Sequence, residues 1–319
     1  AGRPVAQLTV PVPSFVRSLP RKAILLAADS ALLRRLVARY GMRLGAARFV
    51  AGETLDECIP VLRRLNEAGL HTNTTLLGEE IPTADGAAAA VSAYVEILDR
   101  IAAEKLRANV ALKLTHLGLT FDEETAFANV ERLVAHAGRL GLFIRIDMEQ
   151  SAYVEPTLRI YARLRAAGHE NVGVVLQAYL YRSPAHLEHL LPLAPNVRIV
   201  KGAYLEPPEV AHPDKQDVDA AYLRLVETAL RGGAYVAVAT HDERIIRHVQ
   251  AFAAREGFER DRFEFQMLFG VRPALQRDLV AQSHKVLVAT PFGPDWYPYL
   301  MRRLAERPAN LIFFLRNLV

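Results

Sequence analysis

LFIRIDMEQ, residues 142–150, opens on apolar and β-branched side chains and closes on two carboxylates. So short a run suits a buried strand whose carboxyl end leaves the core better than it suits a free-standing helix. The same layout recurs on both sides of it, in LHTNTTLLG (70–78), NVALKLTHLG (109–118), VGVVLQAYL (172–180), NVRIVKGAY (196–204), AYVAVATHD (234–242), FEFQMLFG (263–270) and KVLVATPFG (285–293). An amphipathic helical stretch follows each run. About eight βα units, roughly 25 to 40 residues apart, predict an α/β fold with a parallel sheet closed into a (βα)8 barrel of the TIM type. A doubly wound open sheet is the rival, but no Gly-x-Gly-x-x-Gly turn follows any of the runs, so the usual dinucleotide-binding device of that fold is missing.

Ahead of the runs, apolar residues from Phe15 to Gly69 recur at helical spacing, as in Ala31 to Val37 and Ile59 to Leu65, and Gly69 is a natural stop. The proline-bearing start has no period and reads as an extended arm. The expected division is therefore an arm with helices over 1–68 and a barrel over 69–319, forming one structural unit. A chain of 319 residues, 51% hydrophobic and 23% charged, can bury a sizeable core and lacks the marks of disorder. Its single cysteine, Cys58, cannot form an internal disulfide, which points to a reducing compartment. No apolar run is long enough to span a bilayer and no signal-peptide layout opens the chain, so a soluble, cytoplasmic protein is expected. A net charge of +4, spread along the chain, makes nucleic acid a poor partner.

Several runs turn polar at their ends: Lys113 and Thr115, Asp147 and Glu149, Gln177 and Tyr179, Lys201 and Tyr204, Thr240 and His241. Barrel active sites lie at the carboxyl ends of the strands, so these residues converge where chemistry is expected. Side chains alternate along a strand, which puts Lys113 with Thr115, Arg145 with Asp147 and Glu149, and Arg198 with Val200, Gly202 and Tyr204 on shared faces. One such residue is more often a satisfied ion pair than a catalyst; five strands behaving alike favour function. After the last run, DWYPYLMRRLAERPANLIFFLRNLV (295–319) has Asp295 as a cap and Pro308 as a break, with Arg302 able to share a face with Tyr299 and Glu306. Such a face is either solvated or, if the helix lies over the barrel mouth, suited to gripping a carboxylate with paired guanidiniums. No metal is expected: His71 and the pair His186 and His189 lack ligand spacing, and the pair reads as a solvated helix face. No Gly-x-Ser-x-Gly elbow is present for acyl transfer. Lys113 and Lys201 leave a Schiff-base aldolase or lyase open, and a non-catalytic barrel is a third reading.

Taken in order, KLTHLG (113–118), RIDMEQ (145–150), LQAYLYRS (176–183), RIVKGAY (198–204), ATHD (239–242), FQMLFG (265–270) and YLMRRLAE (299–306) resemble the proline dehydrogenase family, from about residue 70 to the end. The resemblance implies a distorted barrel with its last helix above the mouth, and FAD bound noncovalently at the strand ends. It implies oxidation of L-proline to Δ1-pyrroline-5-carboxylate, transfer of the electrons to a membrane quinone through transient contact with the membrane surface, and a separate aldehyde dehydrogenase downstream. No helix stands out as the docking element. Carried over by motif, Arg302 and Arg303 with Lys113 would bind the proline carboxylate, and Asp147 would be the acidic residue near Lys113. Tyr204, Leu268, Ala289 and Tyr299 would line the substrate pocket. Arg198 would contact the flavin near its reactive nitrogen. Gln177, Val200, Lys201, Gly202 and Ala203, then Lys215, Thr240, His241 and Gln266, and finally Arg303 and Glu306, would help to hold FAD. Glu79 resembles the partner of Arg302 in an ion pair that closes the site.

One position departs from the pattern. The family usually has tyrosine where the last run has Ala289, and its loss would enlarge the pocket beside the carbon that carries a hydroxyl in 4-hydroxyproline. Weakened proline binding and some tolerance of hydroxyproline are expected.

Overall fold

The strands form where the sequence places them. β1 (His71–Leu76), β2 (Ala108–Leu112), β3 (Ile144–Ile146) and β4 (Val172–Gln177) are followed by β5 (Asn196–Val200), β6 (Tyr235–Ala239), β7 (Phe263–Leu268) and β8 (Val286–Phe292). Each pairs in parallel with the next, and β8 closes on β1 through registers such as Ala289 with Asn73. The structure, a computed structural model, describes residues 46–78 and 80–306, with side chains as far as Met301. β4 is buried at every position, the reason that VGVVLQ is a continuous apolar run and not an alternating one.

Around the barrel lie α1 (Leu55–Glu67), α2 (Ala84–Ala103), α3 (Glu123–Arg139), α4 (Val154–Ala166), α5 (Ser183–Leu190), α6 (Lys215–Arg231), α7 (Glu243–Glu256) and α8 (Pro273–Ala281); α9 (Trp296–Glu306) comes last. Local chemistry sets their ends. The Thr83 hydroxyl accepts from Gly86 N at the start of α2, and the helix then buries Ala87, Ala90, Val91, Tyr94, Ile97, Leu98 and Ile101, a stripe at three- and four-residue spacing. Asp242 caps α7 by accepting from Arg244 N, and Gly257, at φ +74°, ends it.

The ends of the chain exchange the places that a plain eightfold repeat would give them. α1 precedes the barrel, yet it packs on β1 and β8 and buries Cys58, Ile59 and Leu62 in the main core. α9 follows β8 but joins a second core, in which Trp296, Tyr297, Leu300 and Met301 meet Ala46, Phe49, Val50 and Leu77, with Val271 beside them. Leu77 follows β1 and Val271 follows β7, so α9 lies across the carboxyl mouth of the barrel. A strap over residues 46–53 holds it there: Ala51 N donates to Pro291 O at 2.8 Å, and Trp296 Nε1 donates to Glu53 Oε1 at 2.6 Å. Gly270, at φ +72°, passes beneath the strap so closely that a Cβ there would overlap Arg48 O.

Of the expected N-terminal helices, the stretch from Ala31 to Val37 lies outside the described residues, as does the break expected at Pro308.

Candidate active site

β2 ends at Leu112 and β3 at Ile146, so Lys113 and Asp147 are the first residues beyond their strands. They open onto a cavity of about 730 Å³ at the carboxyl ends of the barrel. From β4, β5 and β7 come Gln177, Arg198, Val200, Gln266 and Leu268, and from β8 Ala289. Thr240 and His241, beyond β6, continue the wall. The turn after β5 contributes Lys201, Gly202, Ala203 and Tyr204, and Lys215 adds the start of α6. Tyr299 of α9 closes the cavity from above. Every expected site residue among those described thus meets at one surface. Arg302, Arg303 and Glu306 belong to α9, but their side chains lie outside the described set, as does Glu79.

Arg198 organises the polar side of the cavity. Its Nη1 donates to Asp147 Oδ1 at 2.7 Å, while Nε and Nη2 are buried and have no partner among the described residues. The residue is only 8% exposed, so two guanidinium donors stand desolvated and fixed in direction. Beneath it lies Arg145, fully buried and anchored through Nη1 to Asn196 O at 2.7 Å and through Nη2 to Asn196 Oδ1 at 2.5 Å. Burial, aided by the charge of Arg198, pulls the Arg145 guanidinium down to about 10.

The opposite rim is cationic. Lys201 and Lys215 both pair with Asp219, and Lys201 stands 3.7 Å from Asp242. Burial opposes ionisation of Asp219, but hydrogen bonds from the two lysines win and hold its carboxyl below the usual range. A hydrogen bond from the Arg244 side chain, against the cost of burial, brings Asp242 down to about 2. Between the two sides, His241 Nε2 accepts from Leu268 N at 2.8 Å, which leaves Nδ1 to carry the proton of a neutral ring. Gly202 sits at φ +121° over Tyr179, where a Cβ would overlap the phenol ring.

A family model described as proline dehydrogenase matches residues 58–316. The chain belongs to the proline dehydrogenase family. The proline dehydrogenase of Deinococcus radiodurans is 41% identical over 309 residues, covering 96% of this chain and 99% of that protein. Proline dehydrogenase 1 of Bacillus subtilis (strain 168) is 38% identical over 299 residues, covering 94% and 99%. Among solved structures, proline utilization A from Bdellovibrio bacteriovorus, inactivated by N-propargylglycine, superposes with a TM-score of 0.80 at 24% identity. That match takes in 92% of this chain and 36% of the longer one, and it shows the fold.

Within this proline dehydrogenase barrel, four expectations about orientation need correction. Lys113 and Thr115 do not share a face, because the chain turns into a 3-10 helix over Leu114–Leu117 as soon as β2 ends. Thr115 is instead fully buried, its Oγ1 donating to Glu149 Oε2 at 2.5 Å, and Gln177 Nε2 donates to Glu149 O at 2.9 Å. Glu149 and Thr115 therefore brace the wall from behind, while Asp147 alone of the β3 acids reaches the cavity. Tyr179 likewise lies under Gly202 and not in the wall. His186 is not on a solvated face: it is 8% exposed and stands 3.1 Å from Glu155 Oε1. Among the described residues no cluster of His, Cys, Asp and Glu is disposed to hold a metal, and no helix is long and apolar enough to cross a membrane.

Sequence reasoning passed over Asp219 and Asp242. The i, i+4 spacing of Lys215 and Asp219 was a visible signal for the first. The pairing with Lys201 needed the barrel to be closed before it could be seen.

Proposed function

We propose that this cavity oxidises L-proline to Δ1-pyrroline-5-carboxylate, the first step of proline catabolism, with FAD held noncovalently against the strand ends. The observation that carries the reading is Arg198, which aims from the cavity wall two buried guanidinium nitrogens that have no partner among the described residues, and which is fixed by Asp147. A ring system rich in acceptors fits that donor set, and a cavity of about 730 Å³ is large enough for such a group beside a small imino acid. When bound, FAD supplies the two-electron acceptor for the hydride that leaves the ring carbon next to nitrogen.

The chain's own residues do the rest. Arg198 holds positive charge where negative charge develops, a preorganised interaction that costs no rearrangement during the reaction. Lys113, with Arg302 and Arg303 on α9, would grip the substrate carboxylate, and Glu79 would be the partner of Arg302 in an ion pair that closes the site. Tyr204, Leu268 and Tyr299 enclose the imino-acid ring, leaving open space at Ala289. Fixing the carboxylate at one end and the ring at the other turns a two-body encounter into an intramolecular one, worth up to about 7–11 kcal/mol in favourable cases. Gln177, Val200, Gly202, Ala203, Thr240, His241, Gln266 and Glu306 line the cofactor side, and Lys201 and Lys215 supply positive charge for its phosphates. A Schiff-base role for Lys201 is disfavoured, since its ammonium is engaged by Asp219 and Asp242. The electrons pass to a membrane quinone during transient contact with the membrane surface, and an aldehyde dehydrogenase activity takes the product.

An anaerobic visible spectrum of the purified protein, taken before and after L-proline, tests the reading. A flavin band that bleaches is expected. A chain that retains no flavin and binds none from solution overturns it, and borohydride trapping of a carbonyl substrate would then point to lysine chemistry.

A further inference from the structure

Lys201 and Lys215 come from different elements, one from the turn after β5 and one from the first turn of α6, and both line the cavity. Lysine side chains carry four rotatable carbons and a point charge, so two of them seldom present their ammoniums together unless something orders them. Asp219, one turn into α6 and behind the wall, does so: Oδ1 takes Lys201 Nζ and Oδ2 takes Lys215 Nζ. Asp242 stands on the far side, 3.7 Å from Lys201 and 4.0 Å from Lys215, and Arg244 joins it at 3.1 Å. Three cations against two carboxylates leave the rim with one positive charge in excess.

We propose that Asp219 is a positioning residue, a two-pronged clasp that sets Lys201 and Lys215 side by side to receive the diphosphate of the bound dinucleotide. The inference rests on the reading of the cavity as an FAD site. A carboxylate so near a phosphate site would, on charge alone, repel the ligand. Its presence is useful only if ordering the two lysines outweighs that repulsion, and the two effects have opposite signs in experiment.

Flavin release from the diluted holoenzyme, followed by the rise in free flavin fluorescence, separates them. If Asp219 orders the lysines, Asp219→Asn weakens FAD binding at least tenfold, or about 1.4 kcal/mol. Asp219→Glu, which keeps the charge but moves it by one methylene, weakens it as well. The fraction of either variant that holds flavin is reduced by proline at the wild-type rate, a result that general loss of structure would not give. If Asp219 only screens charge, Asp219→Asn binds FAD more tightly and Asp219→Glu is unchanged; either result overturns the proposal. A wild-type protein without flavin takes the FAD reading down with it, whereas a flavin-bearing wild type with tight-binding variants overturns the clasp alone.

Discussion

Arg198 gives one N–H to Asp147 at 2.7 Å and keeps its other two guanidinium nitrogens buried and unpartnered among the described residues. A buried donor left open in this way is costly in an empty barrel, and the arrangement makes sense when something polar lies against it. Arg198→Lys replaces the planar fork by one mobile ammonium, which cannot pair with Asp147 and face the cavity in the same geometry. Flavin reduction by proline in an anaerobic stopped-flow experiment is expected to slow by roughly 10²–10³-fold, in line with the loss of one preorganised donor. Asp147→Asn is expected to slow it less, because the amide oxygen still accepts from Nη1. Wild-type rates in both variants would remove Arg198 from the mechanism.

Gly270 joins the active site to the N-terminal strap. Its φ of +72° and the lack of room beside Arg48 O mean that Gly270→Ala must move backbone. The strap shares a core with Trp296, Tyr297 and Leu300, so α9, which brings Tyr299 to the cavity, moves with it. A loss of about 1–3 kcal/mol in urea unfolding is expected, together with a raised KM for proline. Loss of stability with an unchanged KM would mean that the strap does not position α9.

The barrel was legible because its strands are buried on both faces and each is followed by an amphipathic helix, so β4 could be recognised as VGVVLQ without its partners. The site was legible because polar residues cluster at strand ends, and Lys113, Asp147 and Arg198 meet as expected. Side-chain direction was harder to read. Alternation applies only while the strand lasts, and β2 and β3 end before Thr115 and Glu149, which therefore turn inward to each other. Gly173 shows a different gap. Its Cβ would overlap the Arg145 guanidinium, which crosses toward Asn196 through the space that Gly173 leaves. Nothing local marks that glycine, since its reason lies on the two neighbouring strands, Arg145 on β3 and Asn196 on β5.

Cys58 reports on the seat of α1. It is fully buried, and burial, opposed only by a hydrogen bond with Thr74, pushes its thiol up to about 11. At pH 8 iodoacetamide is expected to leave the native protein untouched and to react in step with unfolding in urea. The linkage has a definite sign. The folded state favours the neutral thiol, so the stabilisation is complete below the unfolded thiol's value near 9 and is lost as pH rises toward 11. Burial also pushes the phenols of Tyr94 and Tyr222 well above their ordinary value of 10.0, so they too lose stabilisation as pH rises past it. Cys58→Ala is therefore the control, and it should flatten the alkaline limb by up to about 2–3 kcal/mol. Rapid alkylation of the folded protein would show that α1 opens from β1 and β8 on its own.

Ala289 is half-buried in a strand whose other residues are all buried, because it alone of β8 faces the cavity. Its register partners, Asn73 on β1 and Leu268 on β7, hold the backbone in place, so a larger side chain there must project into the substrate space. Ala289→Tyr would lay a ring against the imino acid. A ring packed on proline buries apolar surface, and it also crowds a hydroxyl on the adjacent carbon, which adds a desolvation cost for hydroxyproline. The kcat/KM for L-proline is expected to rise, and the ratio of proline to 4-hydroxyproline to increase by roughly tenfold, about the discrimination of one small group in an apolar pocket. Steady-state kinetics with both substrates and a soluble quinone analogue would measure it. An unchanged ratio would show that the space at Ala289 is not where the substrate ring sits, and would move the search for specificity to Tyr204 and Leu268.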